Sequence, residues 1–204
     1  MSLIPDGAIM TVPDGETDAV VISRSRHEPE AFALLYDRHA AAIYRYVARR
    51  LGDALADDVV AECFLAAFAR RDRYDLSRAD ARPWLYGIAA RVIGKHRRTE
   101  VRLLRALART GTDPVAEDHA DRVDSRVTAA ALQRQLADVL AGLPDRDREV
   151  LLLIAWADLS YAEVAEALAV PVGTVRSRLS RARKKMRAAL AGQDPTLLAE
   201  ELCT

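Results

Sequence analysis

The sequence has few cysteines, which can cross-link a chain, and few glycines and prolines, which can interrupt a helix. Its two cysteines, Cys63 and Cys203, have no second cysteine or histidine at metal-ligand spacing, so neither a zinc site nor a disulfide framework is expected. Only nine glycines and eight prolines occur among 204 residues. Ala, Leu, Arg, Asp and Glu dominate instead, and this composition favours helices over strands. We therefore predict an all-α fold.

Long hydrophobic runs and targeting signals are also missing from the sequence. The longest apolar run, 150–157, has eight residues, whereas a membrane span needs ~20. The opening residues, MSLIPDGAIM, lack a basic patch followed by an apolar core, so we expect no secretory signal. Both observations predict a cytoplasmic protein that makes no membrane contact.

Catalytic signatures are missing as well. We find no Gly-rich phosphate loop, no Ser-His-Asp or Cys-His set and no metal-binding cluster. The four histidines, His27, His39, His96 and His119, are scattered along the chain. We expect no enzymatic activity, no cofactor and no metal.

The charge of the chain is balanced overall but divided into blocks. Thirty basic residues match thirty acidic ones. Residues 173–190 hold seven basic residues and no acid, and residues 91–109 hold seven against Glu100 alone. Acidic side chains concentrate in 52–63 and 113–124. A basic block can meet nucleic-acid phosphate, and an acidic block can meet a basic protein partner or solvent.

Two periodic regions predict two small helical domains. Three segments lack a lasting hydrophobic period, and we interpret them as a disordered N-terminal arm (1–27), a flexible linker (99–126) and a tail (192–204). The domains are then 28–98 and 127–191.

The first domain, 28–98, is predicted to contain three helices. A helical stripe of apolar residues starts at Phe32 and stops at Gly52, a residue that tolerates the conformation of a helix C-terminus. A second helix runs from about 56 to 71. A polar loop, 74–81, follows, and Pro83 opens the third helix, which becomes basic at its end.

The second domain, 127–191, ends in a specific arrangement. Ser160 and Glu163 fit a capping box at the start of a short amphipathic helix. A break at 169–171 separates this helix from a basic helix, about 172–190. Short helix, break and basic helix form the pattern of a helix-turn-helix, whose second helix enters the major groove of DNA. The alternative is a solvated basic helix that ends an ordinary bundle.

The basic helix carries side chains suited to reading DNA. Arginine can bond two acceptors of guanine, and serine can bond any base. The predicted outward residues are Arg176, Ser177, Ser180, Arg181 and Lys184. Gly173 and Thr174 lie near the helix N-terminus, where free N–H groups can bind phosphate.

The segment LPDRDREVLLLIAWADLSYAEVAEALAVPVGTVRSRLSRARKKMR, 143–187, resembles the fourth conserved region of extracytoplasmic-function (ECF) sigma factors, most closely in GTVRSRLSRAR. In that family this region binds the minus-thirty-five promoter element. The resemblance implies that four residues contact the bases of this element, Arg176, Ser177, Ser180 and Arg181. It also implies that Gly173 and Thr174 lie near the DNA backbone.

The first domain is similar to the second conserved region of the same family, in AFALLYDRHAAAIYRYVARRLGDALADDVVAECFLAAFARR and RPWLYGIAARVIGKHRR. The family's helix around ADDVVAECF binds the clamp helices of the largest polymerase subunit, which implies this role for the acids Asp57, Asp58 and Glu62.

The loop 74–81 and the following basic helix resemble the surface that recognises and melts the minus-ten element. The basic residues suited to its DNA backbone are Arg91, Lys95, Arg97 and Arg98. Trp84 could stack on a base, but its place in an apolar stripe favours the core.

The resemblance implies an RNA polymerase sigma factor that initiates transcription at specific promoters. Its implied partners are core polymerase (clamp helices and flap region), promoter DNA and an anti-sigma factor. The alternative function is a helix-turn-helix regulator that acts without joining polymerase. Asp57, Asp58 and Glu62 have an alternative role that is compatible with polymerase binding. They could complement the dipole of their own helix and face solvent.

Overall fold

The computed structural model describes residues 16–110 and 123–190, and within these ranges it contains helices and no strands. The all-α prediction is confirmed. In chain order the helices are α1 (Asp18–Ser25), α2 (Ala33–Leu51), α3 (Asp53–Arg70), α4 (Arg82–Lys95), α5 (Arg97–Thr110), α6 (Val123–Gly142), α7 (Asp145–Ala155), α8 (Tyr161–Leu168) and α9 (Val172–Ala189). Short 3-10 turns at Pro29–Phe32 and Arg71–Arg73 connect the first elements.

The predicted disordered arm needs a correction, because part of it is the helix α1. Val21 and Ile22 on this helix are fully buried. The helix is held in place by Asp18, which lies 3.0 Å from Arg38 Nη1, 2.7 Å from His39 Nε2 and 3.0 Å from the N–H of Ala81. Order therefore begins before the predicted domain boundary at residue 28. Residues 1–15 lie outside the described residues.

The predicted linker also needs a correction, since residues 99–110 belong to α5. The basic stretch after α4 is interrupted at His96, which has φ −98° and ψ 17°, and a new helix starts at Arg97. Leu104 and Glu100 anchor α5, because both are buried. Residues 111–122 and the tail 192–204 lie outside the described residues, and α6 begins at Val123 rather than near Val127.

Gly52 is the junction between α2 and α3. Its φ of 83° is a left-handed value that favours glycine, and its N–H donates to the carbonyl of Ala48 at 2.8 Å. The chain can therefore leave one helix and enter the next without an intervening loop.

The two halves of the chain are in contact. Helix α8 packs on α4, and α7 is linked to α2 by ion pairs between Arg50 and Glu149. One continuous apolar core extends from α1 to α9 through this contact.

Candidate nucleic-acid interface

The helix-turn-helix starts with the predicted capping box at α8, which is confirmed. The N–H of Glu163 donates to Ser160 Oγ at 3.3 Å, and the N–H of Ser160 donates to Glu163 Oε2 at 2.7 Å. Hydrogen bonds from Ser160 lower the pKa of the Glu163 carboxyl. Two donors at the helix N-terminus are thereby satisfied.

The turn between α8 and α9 has a left-handed residue that is not glycine. Ala169 adopts φ 52° and ψ 49°. The N–H of Val170 donates to the carbonyl of Ala165 at 2.9 Å, and that of Ala169 donates to Glu166 at 3.1 Å. This pattern closes the C-terminus of α8 as a Schellman motif does, and Pro171 then leads into α9.

Helix α9 has one buried row and one exposed basic row. Val175, Leu179, Ala182 and Met186 are buried against the rest of the C-terminal half. Arg176, Ser177, Ser180 and Lys184 are exposed. Among the described residues, Arg176 and Lys184 have no ion pair with a carboxylate. Their side chains are therefore free to meet an anionic ligand.

Of the N–H groups of Gly173 and Thr174, which were predicted to bind phosphate, only one is free in the described ranges. The N–H of Thr174 donates to the carbonyl of Pro171 at 2.8 Å. The N–H of Gly173 has no hydrogen-bond partner in the described ranges, and the space around its α-carbon is open. A phosphate could approach Gly173 closely.

Arg181 differs from the other predicted base-reading residues because it already forms an ion pair. Its Nε and Nη2 donate to the two carboxylate oxygens of Asp147 at 3.0 and 2.8 Å. One edge of its guanidinium is therefore occupied, although the side chain is 59% exposed.

The exposed face of α3 presents acids beside one large apolar side chain. Asp57 and Asp58 are exposed, whereas Glu62 forms an ion pair with Lys95. Leu65, which is 70% exposed, lies two turns beyond Asp58 on the same face. Leu65 was not predicted as a functional residue, because a single apolar side chain within an apolar stretch gives no local sign of a partner.

The predicted minus-ten residues occupy the ends of two helices. Arg91 and Lys95 lie on α4, and Arg97 and Arg98 open α5. Arg91 and Arg98 are exposed without an ion pair among the described residues, while Arg97 Nη1 lies 2.7 Å from Asp145 Oδ2. The basic surface continues along α5, where the sequence predicted a linker. Its further arginines are Arg102, Arg105 and Arg109.

In the loop that precedes α4, a tyrosine side chain is hydrogen-bonded to the backbone of the same loop. Tyr74 Oη donates to the carbonyl of Arg78 at 2.8 Å and lies 3.2 Å from the carbonyl oxygen of Asp80. The Tyr74 ring packs on Trp84 with centroids 5.0 Å apart, and Trp84 is half-buried against the core. This packing supports the core interpretation of Trp84.

Within residues 16–110 and 123–190, no group of three or more His, Cys, Asp or Glu side chains could hold a metal ion. None of the helices in these ranges is long and apolar enough to cross a membrane.

The C-terminal half is a helix-turn-helix with a free basic face. It is joined to a second helical unit that also presents basic and acidic surfaces. This combination defines a DNA-binding transcription protein. Comparison with known proteins gives the family. The family model for sigma-70 region 2 matches residues 35–110, and that for sigma-70 region 4 matches 133–186. The ECF sigma factor SigK of Mycobacterium ulcerans is 30% identical over 182 residues, 87% of this chain and 97% of that protein. SigW of Bacillus subtilis is 31% identical over 167 residues, 78% of this chain and 89% of that protein.

The chain belongs to the ECF RNA polymerase sigma factor family. It is thus a transcription initiation subunit that binds core polymerase and directs it to promoter DNA.

Solved structures agree with this assignment. CnrH, in complex with the cytosolic domain of CnrY, is 28% identical with a TM-score of 0.59, and the match covers 87% of this chain and 99% of CnrH. RpoE of Bartonella quintana, in complex with the anti-sigma factor NepR, shares the fold at 21% identity and a TM-score of 0.54, over 80% and 98% of the two chains.

Proposed function

We propose that the sigma-factor activity is divided between the two halves of the chain. The C-terminal half, 127–191, reads the minus-thirty-five element through α9. The N-terminal half, 28–98, binds the polymerase clamp and the minus-ten element. The observation that carries this proposal is the exposed row of α9, which contains basic and hydroxyl side chains and no acid.

Within α9, we assign base reading and backbone binding to different residues. Arg176, Ser177 and Ser180 lie where the helix would face base edges. Arg181 joins them through the guanidinium edge that Asp147 leaves free. Backbone phosphate is bound by the remaining residues of the site, which are Gly173 through its N–H, Thr174 through its hydroxyl and Lys184 through its ammonium group.

The minus-ten element is bound by Arg91, Lys95, Arg97 and Arg98. Two of these cations are paired with carboxylates in the free chain, Lys95 with Glu62 and Arg97 with Asp145. Exposed pairs of this kind contribute ~0–1 kcal/mol, so a DNA phosphate can replace the carboxylate at little cost.

The polymerase clamp is bound by the exposed face of α3. Asp57, Asp58 and Glu62 supply charges that complement a basic helical partner. Leu65 supplies an apolar contact on that face, because burial of an exposed leucine contributes ~1.5–3 kcal/mol.

A bound protein partner is a property of the relatives that we extend to this chain as part of the same proposal. CnrH and RpoE were both solved with a protein bound, in RpoE an anti-sigma factor. We expect this chain to be held by an anti-sigma factor, to act in the cytoplasm and to catalyse no reaction of its own.

The test of minus-thirty-five reading compares Arg176→Ala with Lys184→Ala on specific and random duplexes. Loss of a bidentate base contact should cost ~1–3 kcal/mol at one base pair, so Arg176→Ala should relax sequence preference there. Lys184→Ala should weaken binding to all sequences. It should also reduce the slope of log affinity against log salt concentration by about one, the value for one lost phosphate contact. Equal losses on specific and random DNA for Arg176→Ala would contradict base reading.

A further inference from the structure

Helix α9 carries an arginine whose guanidinium is held from one side by a buried carboxylate of another helix. We propose that Asp147 of α7 is a positioning residue for minus-thirty-five recognition. It fixes Arg181 so that this side chain reads one guanine and contributes little to phosphate binding. This role deepens the function proposed above and rests on its assignment of Arg181 to base reading.

The two charged groups meet through the side edge of the guanidinium. Arg181 Nε donates to Asp147 Oδ2 at 3.0 Å, and Nη2 donates to Oδ1 at 2.8 Å. Two parallel bonds between a planar guanidinium and a planar carboxylate fix both the position and the plane of the arginine. A single bond would leave the guanidinium free to rotate. The ion pair thus sets one orientation of Arg181 in the free chain.

Asp147 is itself held in place by the core of the C-terminal half. It lies in the first turn of α7, its side chain is 6% exposed, and its N–H donates to the carbonyl of Pro144 at 2.9 Å. Val150 and Leu151, which follow it on α7, are buried, and α7 packs against α9. The carboxylate is therefore a fixed support, whereas most surface ion pairs join two mobile side chains.

The donors that Asp147 leaves free match guanine. A guanidinium has five N–H donors, of which Asp147 accepts two, and Nη1 of Arg181 has no hydrogen bond among the described residues. Nη1 and the second N–H of Nη2 form a fork at the end of the group. This fork fits the O6 and N7 acceptors that guanine presents in the major groove. Adenine presents a donor beside its acceptor there, and thymine presents one acceptor, so guanine is the expected base.

Arg181 lies on the face of α9 that carries other predicted DNA contacts. Gly173, Ser177 and Arg181 follow one another at intervals of four residues, so they form one row along the helix. Long side chains of a helix lean toward its N-terminus. Arg181 is therefore placed to reach toward Ser177 and the end of α9 that enters the groove.

Pairing with Asp147 also changes what Arg181 attracts. The pair carries no net charge, so its attraction for the phosphate backbone is weaker than that of an unpaired cation. The donors at the free end remain, and the guanine acceptors that they match are uncharged. Arg181 should therefore contribute to sequence preference rather than to salt-dependent affinity. Lys184, which has no carboxylate partner in the described ranges, contributes to affinity instead.

The test uses Asp147→Asn in the full-length chain, with Asp158→Asn as the matched control. Both variants remove one negative charge near the helix-turn-helix and keep the size of the side chain. Asp158 is exposed and has no ion pair among the described residues, and asparagine tolerates its left-handed backbone, φ 51°. Wild type and each variant select bound sequences from a library of duplexes with a randomised stretch. Arg181→Ala and Arg176→Ala identify the positions that each arginine reads.

Wild type should select a guanine at one position where Arg181→Ala shows no preference. Asp147→Asn should reduce the preference for that guanine roughly tenfold and keep the preferences that depend on Arg176. Its affinity for random duplexes should rise, and its salt slope should steepen by about one, because Arg181 regains a net charge. A merely structural role of Asp147 would lower preference and random affinity together. Asp158→Asn should keep every base preference.

Two results separate the positioning role from the assignment on which it rests. If Arg181→Ala loses the guanine and Asp147→Asn keeps it, Asp147 does not position Arg181, and base reading by Arg181 stands. If Arg181→Ala loses no preference, base reading by Arg181 fails and the positioning role fails with it.

Nuclear magnetic resonance of the wild-type chain guards against misfolding of Asp147→Asn. The Nε–Hε signal of Arg181 is identified by its absence in Arg181→Ala. This group should be rigid in the free chain, whereas that of Arg176, which has no ion pair among the described residues, should be mobile. Equal mobility of the two groups would overturn the positioning role without any variant of Asp147.

Discussion

Arg181 in α9, the second helix of the helix-turn-helix, donates two hydrogen bonds to Asp147 in the first turn of α7. The distances are 3.0 Å from Nε and 2.8 Å from Nη2. The Asp147 side chain is only 6% exposed, whereas that of Arg181 is 59% exposed. The same arginine therefore has a structural partner on one side and a free edge on the other.

This pairing predicts that Arg181→Ala lowers stability as well as DNA affinity. Removing the arginine leaves a buried carboxylate without its donors, which costs ~1–3 kcal/mol. Arg176→Ala, on the same face but without an ion pair among the described residues, should stay within about 0.5 kcal/mol of wild type. Urea unfolding monitored by circular dichroism measures both variants. Equal stability of the two would show that the Asp147 contact does not contribute in solution.

Asp18 predicts a loss of stability in acid. Burial opposes ionisation, but hydrogen bonds from His39, the Ala81 N–H and Arg38 outweigh it and lower the pKa of Asp18 from 3.8 to about 2. Because the folded pKa is depressed, the contribution is fully present above pH ~4 and is lost as the pH falls towards 2. The shift corresponds to about 2 kcal/mol.

The measurement compares wild type with Asp18→Asn in denaturant unfolding from pH 7 to pH 2.5. The variant should be less stable by about 2 kcal/mol at pH 7, and the difference should shrink below pH 4. A difference that stays constant across this range would mean that the carboxylate charge of Asp18 does not hold α1 to the core.

Ala169 predicts a substitution that stabilises the helix-turn-helix. Its left-handed backbone, φ 52°, costs a residue with a β-carbon roughly 1 kcal/mol, and glycine avoids this cost. Ala169→Gly should therefore raise the unfolding free energy by up to about 1 kcal/mol. Ala162→Gly, at an exposed position inside α8, should lower it by a similar amount. If both variants are destabilised alike, Ala169 is not left-handed in solution.

The local features of the fold could be predicted from the sequence. The Ser160–Glu163 capping box and the break after α8 are encoded within a few residues, and so are the apolar and basic rows of α9. Gly52 likewise marked the end of α2. In each case the interacting groups lie close together along the chain, so spacing alone specifies their geometry.

Long-range contacts explain what the sequence did not predict. Helix α1 depends on Asp18, whose partner Ala81 is 63 positions away. Helix α5 depends on Glu100, which is buried between Arg50 and Arg148, 50 and 48 positions away. A lone acid in a basic block shows neither burial nor partners in its local pattern, so α5 was assigned to a linker.

The acidic face of α3 predicts a defect in polymerase binding without a defect in DNA binding. Asp58→Lys should impair assembly with core polymerase, because it reverses a charge that complements a basic helical partner. Glu30→Lys is the matched control, since Glu30 is an exposed acid of the same half with no ion pair in the described ranges. Size-exclusion chromatography with core polymerase measures assembly. Co-elution of Asp58→Lys at wild-type levels would remove this face from the polymerase interface.

Membership of the sigma factor family is tested most directly by transcription from purified components. Core polymerase is supplied with genomic DNA fragments, with or without the chain, and the 5′ ends of the transcripts are sequenced. We predict discrete start sites that appear only with the chain, share one upstream element, and are lost with Asp58→Lys but kept with Glu30→Lys. Sequence-specific DNA binding by the chain without any new start site would contradict this account and would identify a regulator that acts apart from polymerase.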